Sequence, residues 1–167
     1  MDTQIRTRVE SRLVIMIRKA QASDAPAIWS IRKAAIYKGC AGFYSDDTLK
    51  TWAEAPPTEK FQRKLERDCY LAMIDGRIAG FGMLDLDSGH VGAMFVDPSH
   101  MGQGVGKMIL GYLEDLARAS DLKQLHLDAS LNAVPAYRAC GFTGEQSAKY
   151  QSPTGVILDC VKMQKPL

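Results

Sequence analysis

The sequence predicts one α+β domain, in which helices flank a mixed, mostly antiparallel sheet of about seven strands. Short turns join successive apolar runs in the middle of the chain, and such hairpins make neighbouring strands antiparallel. A glycine-rich turn and an amphipathic helix separate two later strands, which gives one strand–helix–strand crossover. The length of 167 residues fits a single domain. A doubly wound fold would instead alternate strands and helices throughout.

Composition and charge are those of an ordinary globular protein, with 46% hydrophobic and 24% charged residues. The formal net charge of +2 is too small to attract nucleic acid. The longest apolar run, Leu13 to Ile17, is far shorter than the roughly 20 residues that span a bilayer. Residues 1–12 are polar and aperiodic, so we expect a flexible arm before a single domain over 13–167. We therefore expect a cytoplasmic protein that binds neither nucleic acid nor membranes.

The spacing of cysteine and histidine predicts neither a disulfide framework nor a metal site. The cysteines are scattered and form no C-x-x-C pair: Cys40, Cys69, Cys140 and Cys160. The histidines also lack paired ligand spacing: His90, His100 and His126. We expect the cysteines to be small buried hydrophobic residues and the protein to hold no metal.

The first part of the chain predicts a strand followed by helices. Leu13 to Ile17 is short and apolar, as a buried strand is. Ser23 or Asp24 caps a first helix, and Ser45 caps a second, because their side-chain oxygens accept hydrogen bonds from free helix amides. Good helix formers over 59–67 predict a third helix.

The second part of the chain is richer in strands. Asp75-Gly76 is a strong hairpin signal between apolar runs at 70–74 and 78–86. Apolar residues then recur at helical spacing over 105–119. The remaining elements are a strand over 90–96, a strand over 125–129, a short helix that ends at Gly141, and strands near 143–151 and 156–163.

The glycine-rich segment between the strand ending at Val96 and the helix from 105 is the most informative part of the sequence. Free amides at a helix start, with no β-carbons to keep an anion away, favour phosphate binding. A plain tight turn is the alternative interpretation. Met101 and Met108 stand where a nucleotide P-loop needs glycine and a hydroxyl residue, so that motif is excluded.

Two motifs resemble those of the GNAT acyltransferases. Residues 96–106, V-x-P-x-x-x-G-x-G-x-G followed by an apolar helix, resemble the acyl-CoA-binding motif of that family. Residues 133–142, A-x-x-x-Y-x-x-x-G-F, resemble its second motif, placed after the next strand. The element order resembles that family from Leu13 to Lys162. The resemblance implies a GNAT-like fold and an N-acetyltransferase that uses acetyl-CoA and no metal.

The resemblance also implies how acetyl-CoA would be bound. One strand would pair through its backbone with the pantetheine arm, and the glycine loop would hold the pyrophosphate, with Lys107 adding charge. Met101 replaces the Arg or Gln that opens the loop in that family, and Ser130 replaces an Asn, with Asn132 two places later. The implied binding residues are Met94, Phe95, Val96, Met101, Gly102, Gln103, Gly104, Val105, Gly106, Lys107, Ser130 and Asn132.

The resemblance places Tyr137 as the general acid that protonates the departing coenzyme sulfur. A tyrosine with a pKa of about 10 is protonated at neutral pH and can donate. Many relatives carry a glutamate base where His90 stands, and alternation predicts that His90 shares a face with Gly92 and Met94. Each residue also has a structural interpretation. Tyr137 would be a core aromatic residue beside Phe142, and His90 would find its hydrogen-bond partners in the preceding turn.

The acceptor is expected to be a primary amine of a small molecule or peptide, which attacks directly in a ternary complex. Aromatic residues in the region that walls the acceptor site of that family predict a partly aromatic pocket: Tyr37, Phe43, Tyr44 and Trp52. Asp85 and Asp87 share a strand face and would orient His90 or attract a cation; solvated carboxylates are the alternative. Cys140 as an acyl-carrying nucleophile is less favoured, since no nearby residue would lower its pKa.

Two other functions fit parts of the pattern. A non-catalytic acyl-CoA-binding regulatory module would explain the departures at Met101 and Ser130. An NAD-dependent oxidoreductase would use Asp128, which ends a strand where a ribose partner would lie, although Lys107 replaces the third glycine of that motif. The late strands offer edges on which a second copy of the chain could pair, so a homodimer is also an expectation.

Overall fold

The computed structural model describes residues 14–152 and 154–167. The strands are β1 (Met16–Lys19), β2 (Cys69–Ile74), β3 (Arg77–Asp85), β4 (His90–Val96), β5 (Gln124–Ser130), β6 (Thr143–Gln151) and β7 (Ile157–Pro166). The helices are α1 (Ala25–Gly39), α2 (Asp46–Ala53), α3 (Glu59–Asp68), α4 (Val105–Ala119) and α5 (Val134–Ala139), with 3-10 turns at Ala22–Asp24 and Pro98–His100. The arm predicted over 1–12 lies outside the described residues.

The strands form one seven-stranded sheet in the order β1-β2-β3-β4-β5-β7-β6. Neighbouring strands are antiparallel except β4 and β5, which run parallel on either side of the α4 crossover. The predicted mixed, mostly antiparallel sheet flanked by helices is therefore confirmed. In the part of the chain that the structure describes, no helix is long and apolar enough to cross a membrane.

Most element boundaries follow from local signals. Asp75 and Gly76 both adopt positive φ, 49° and 74°, which is the two-residue turn that Asp-Gly favours. The Ser45 hydroxyl accepts an N–H from the first turn of α2, as expected of a capping residue. The Asp24 carboxylate instead pairs with Arg18, so α1 begins without a side-chain cap.

Two strands differ from their predicted bounds by more than one residue. β1 extends to Lys19, past the apolar run, because its backbone pairs with β2 as far as Tyr70. β7 continues past Met163 to Pro166, because every residue of β5 has a partner on β7 and Gln124 pairs with Pro166. Backbone pairing with a neighbour, rather than apolar content, sets these ends.

Helices cover both faces of the sheet. On one face, α4 buries Ile109 and Leu113 completely. On the other, α1 and α3 pack over β2 and β3, where Ile28 and Phe81 are fully buried. A third cluster around Trp52 joins α1 and α2 to β7.

Gly82 of β3 lets α4 approach the sheet closely. A Cβ at this position would lie 2.6 Å from Ile109 Cγ2 and 3.2 Å from Leu113 Cδ1. We expect Gly82→Ala to lower the free energy of unfolding by about 1–3 kcal/mol, because the extra methyl overpacks the core. Gly39→Ala is the control, since a Cβ there meets nothing nearer than 3.4 Å. Urea unfolding measures both variants; a Gly82→Ala protein as stable as the wild type would contradict this packing.

β4 and β5 are held together at one end only. Their single aligned pair is His90 with His126. Toward Val96 and Ser130 the two strands part, and β4 keeps β3 as its one strand partner among the described residues. The sheet is therefore split at the carboxyl ends of two adjacent parallel strands.

Candidate active site

A cleft of about 550 Å³ opens where β4 and β5 part. Such a volume is typical of small-molecule sites. Residues of β3, β4 and β5 line it, together with residues of α1, α2, α3, α5, β6 and β7. Its polar and aromatic lining includes Trp29, Arg32, Tyr44, Trp52, Lys64, Asp85, His90, Asp128, Tyr137 and Tyr150.

β4 carries a bulge at Gly92. Val91 and Ala93 pair with successive residues of β3, so Gly92 has no residue opposite it. An extra residue of this kind reverses the side-chain alternation beyond it. Val91 and Met94 consequently both pack in the core beneath α4, which leaves His90 on the opposite face. The prediction that His90 shares a face with Met94 is therefore wrong.

Tyr137 of α5 is buried and reaches the cleft. Its ring packs edge-on against Phe142, with 5.6 Å between the centroids. Burial, and to a lesser extent Cys140, raises the pKa of its hydroxyl above the usual value. No group within residues 14–152 and 154–167 hydrogen-bonds to that hydroxyl. Tyr137 therefore keeps its proton at neutral pH and can donate it to a molecule in the cleft.

His90 begins β4 at the closed end of the split. Its Nε2 lies 3.9 Å from the Asp128 carboxylate, and its ring centroid lies 5.0 Å from that of His126. Burial lowers the pKa of His90, and the charge of His126 lowers it further, while Asp128 opposes the shift. The imidazole is consequently neutral at physiological pH, the form that accepts a proton. The preceding turn engages only its backbone, whose N–H donates to the Ser88 hydroxyl at 3.2 Å.

The glycine loop leads from the end of β4 into α4. Gly102 and Gly104 have φ of 78° and 82°, a conformation that glycine adopts without strain. Gly104 begins α4 without a side-chain cap. Among the described residues, no acceptor meets the backbone N–H groups from Gly102 to Lys107. This row of free donors at the positive end of a helix suits an anion.

The other residues implied for coenzyme binding are dispersed along this path. Met94, Phe95 and Ser130 line the cleft. Asn132 turns toward the end of α1, where its side-chain oxygen accepts from the Cys40 thiol at 3.3 Å. Of the remainder, Val105 is buried, Val96 and Gly106 are half-buried, and Met101, Gln103 and Lys107 are exposed.

Two of the four predicted acceptor-site aromatics line the cleft. These are Tyr44, whose hydroxyl bonds two backbone groups near β5 and β7, and Trp52. The structure does not bring Tyr37 or Phe43 to the cleft. The Tyr37 hydroxyl donates to Glu54 on the surface at 2.8 Å, and Phe43 is 52% exposed.

Asp85 lines the cleft on the side of His90. β3 ends at Asp85, so Asp87 lies in the following turn, and the prediction that the two share a strand face is wrong. The Asp87 N–H donates to the Asp85 carboxylate at 2.9 Å, and this bond lowers the pKa of Asp85. Asp85 is therefore ionised and acts to raise the pKa of His90.

Three of the four cysteines have environments that disfavour a thiolate. Three are buried and Cys140 is half-buried, and none forms a disulfide. Burial raises the pKa of Cys40 to about 11 and that of Cys69 to about 12. Burial also raises the pKa of Cys160, the one cysteine among the residues lining the cleft. A raised thiol pKa makes Cys40, Cys69 and Cys160 poor nucleophiles.

Sequence reasoning missed Arg32 and Tyr150, which also line the cleft. Arg32 lies four residues after Ile28 on the apolar stripe of α1, and a charge on a buried helix face was the signal that could have found it. Tyr150 is half-buried near the end of β6, in a strand whose sequence gives no comparable signal.

Comparisons with known proteins bear on the family and the fold. The sequence model described as Acetyltransferase (GNAT) domain matches residues 40–165. Glucosamine 6-phosphate N-acetyltransferase of Trypanosoma brucei brucei is 33% identical over 58 residues, which make up 35% of this chain and 40% of that protein. The match to this curated relative thus spans less than half of its length.

Solved structures extend the likeness over nearly the whole chain. A GCN5-related N-acetyltransferase from Rhodopseudomonas palustris has a TM-score of 0.83 at 25% identity, covering 100% of this chain and 99% of its own. PaiA N-acetyltransferase from Thermoplasma acidophilum, solved with coenzyme A, has a TM-score of 0.71 at 20% identity. The match covers 92% of this chain and 99% of the PaiA chain. The family match includes the split, the glycine loop and Tyr137, and the chain belongs to the GNAT acetyltransferase family.

Proposed function

We propose that the protein transfers an acetyl group from acetyl-CoA to a primary amine by direct attack in a ternary complex. The observation that carries the proposal is the split between β4 and β5, which joins Tyr137 and His90 in one cleft. The family match and the coenzyme A bound by the solved Thermoplasma relative support it.

The open edge of β4 and the glycine loop fit the two ends of such a coenzyme. Within the described part of the chain, the backbone groups of Met94 to Val96 have no strand partner on the side of β5 and suit an extended amide-bearing chain. The free amides from Gly102 to Lys107 suit a pyrophosphate, and the exposed Lys107 adds positive charge. Binding of the coenzyme therefore depends mainly on backbone groups. Backbone groups are present whatever the side chain, so Met101 and Ser130 can replace the residues usual in the family.

The side chains in the cleft supply the proton transfers. When bound, acetyl-CoA supplies the acetyl thioester. His90 takes a proton from the attacking amine as the new carbon–nitrogen bond forms. Tyr137 gives its proton to the sulfur as the carbon–sulfur bond breaks. Two groups held in opposite protonation states at neutral pH can perform both steps.

Acetyl-CoA should raise the unfolding temperature of the protein, whereas NAD and ATP should not. Ligand at 100 times its Kd adds about 2.7 kcal/mol to the free energy of unfolding. For a domain of this size, the shift in Tm is roughly 5–10 °C. Differential scanning fluorimetry measures it, and release of the coenzyme thiol with an amine panel then measures transfer. A shift with NAD but none with acetyl-CoA would contradict the proposal; binding without transfer to any amine would indicate a non-catalytic module.

A further inference from the structure

Arg32 places a buried positive charge at the cleft. It lies on α1, is 7% exposed and is one of the lining residues. Its guanidinium donates to the carbonyl oxygens of Trp52 at 2.8 Å and Ala53 at 3.4 Å, and lies 4.2 Å from the centre of the Trp29 ring. Burial lowers its pKa to about 10, which leaves it charged at neutral pH.

No carboxylate among the described residues pairs with Arg32. The acidic side chains on the nearby walls are already engaged, since Asp68 pairs with Arg67 and Asp159 pairs with Lys149. A buried charge without a counter-ion is costly, and the two carbonyl groups occupy only part of a guanidinium with five N–H donors. The remaining donors suit the planar fork of a carboxylate or a phosphate.

Two further cations, Lys60 and Lys64 of α3, belong to the cleft lining, and neither forms an ion pair with a described residue. The lining also holds four carboxylates, of which Asp68 and Asp159 are paired with Arg67 and Lys149. Arg32 and the two lysines therefore have no oppositely charged partner among the described residues, and their positive charge is available to an anion.

Two carboxylates of the cleft lining lie near His90. Asp128 is 3.9 Å from its Nε2, and the ionised Asp85 is its partner residue across β3 and β4. The half-buried Tyr150 lies within electrostatic reach of both charges, because Asp128 raises the pKa of its hydroxyl while Arg32 lowers it, in addition to the larger effect of burial. An ammonium group therefore fits at Asp128, beside His90, and an anionic group fits at Arg32 in the same cleft.

We propose that the acceptor is a small amine that also carries a carboxylate or phosphate, and that Arg32 binds this anionic group. The inference rests on the acetyl transfer proposed above and adds the chemical class of the acceptor. Arg32 also holds the last carbonyls of α2, so a purely structural role is the alternative that the experiment has to separate.

Matched amine pairs test the class directly in the wild-type protein. The probes are α-amino acids against their carboxamides, O-phosphoethanolamine against ethanolamine, and glucosamine 6-phosphate against glucosamine. We expect kcat/KM to be about 10- to 100-fold higher for the anionic member of the accepted pair, since charge-assisted hydrogen bonds are made only with it. A preference within the amino-acid pair would identify the anionic group as a carboxylate, and a preference within either phosphate pair would identify it as a phosphate. Equal rates within every pair would overturn the inference and leave acetyl transfer intact.

Arg32→Gln and Arg32→Lys separate binding from structure. Binding predicts that Arg32→Gln raises KM for the anionic amine and abolishes the preference within the pair. It also predicts that Arg32→Lys restores part of the preference. The control is Lys33→Met, which removes a charge from the same helix at an exposed position paired with Glu54. A structural role predicts equal losses for both members of the pair, which would overturn the inference.

Inhibition of the wild-type protein makes the test independent of whether these variants fold. An amine-free analogue of the accepted anion, such as inorganic phosphate or a simple carboxylate, should compete with the amine and not with acetyl-CoA. Competition with acetyl-CoA alone would place the anion at the glycine loop and overturn the inference. Failure of acetyl-CoA to shift the unfolding temperature would instead refute the transferase proposal itself.

Discussion

Tyr137→Phe is expected to lower kcat by about 10²-fold or more while leaving the Kd for acetyl-CoA almost unchanged. A positioned general acid contributes roughly 10²- to 10⁴-fold to a rate, and the substitution removes only the proton that the leaving sulfur needs. The ring and its contact with Phe142 remain. Among the described residues the hydroxyl has no hydrogen-bond partner to lose, so folding stability should change little.

Steady-state release of the coenzyme thiol measures kcat, and isothermal titration measures coenzyme affinity. Tyr70→Phe is the matched control, because Tyr70 is buried beside Tyr112, with 5.4 Å between the ring centroids, and does not line the cleft. The control should keep the wild-type kcat. Wild-type turnover in Tyr137→Phe would show that a water molecule, and not this hydroxyl, protonates the sulfur.

The elements that the sequence predicted best are those with local signals. Helix α4 begins and ends at Val105 and Ala119, as its apolar spacing and the preceding glycines predict. The hairpin at Asp75-Gly76 and the bounds of β4 follow in the same way. Each of these signals lies within a few residues of the feature that it specifies.

The errors arose where the structure depends on distant neighbours. The bulge at Gly92 depends on how β4 aligns with β3. A glycine inside a strand is a signal for a bulge, but it does not fix the alignment, and the face of Met94 was predicted wrongly. Tyr37 and Phe43 lie near Tyr44 in sequence, yet Tyr37 is on the exposed face of α1, Phe43 is exposed in the turn that follows, and neither lines the cleft. Proximity in sequence to a site residue does not determine which side chains reach a cavity.

The chemistry of the cleft was predictable only where a motif carried it. Tyr137 and the glycine loop belong to motifs with fixed spacing, so the sequence could assign them. Asp128 was considered only as a ribose partner, because its approach to His90 comes from one aligned pair between two strands far apart in the chain. Arg32 reaches the same cleft from α1, whose packing no short motif describes.

His90→Ala is expected to lower kcat by about 10²-fold at neutral pH and to remove the acid limb of the pH–rate profile. In the wild type, burial, His126 and Lys64 lower the pKa of His90, while Asp128 and Asp85 raise it, and the net shift is downward. The base form is lost only on protonation, so the wild-type kcat should stay constant through neutral pH and fall below about pH 6.5, the ordinary value for histidine.

His126→Gln is the matched variant, because it changes the charge beside His90 without removing the base. The His126 ring is 5.0 Å from that of His90, and its Nε2 bonds the Ser88 carbonyl, which a glutamine amide can also reach. Loss of this positive charge should raise the pKa of His90 and move the acid limb to higher pH, with the plateau kcat retained. Both variants are expected to change the acid limb because both act on the protonation of His90. If neither substitution alters the acid limb, the base is a water relay and not His90.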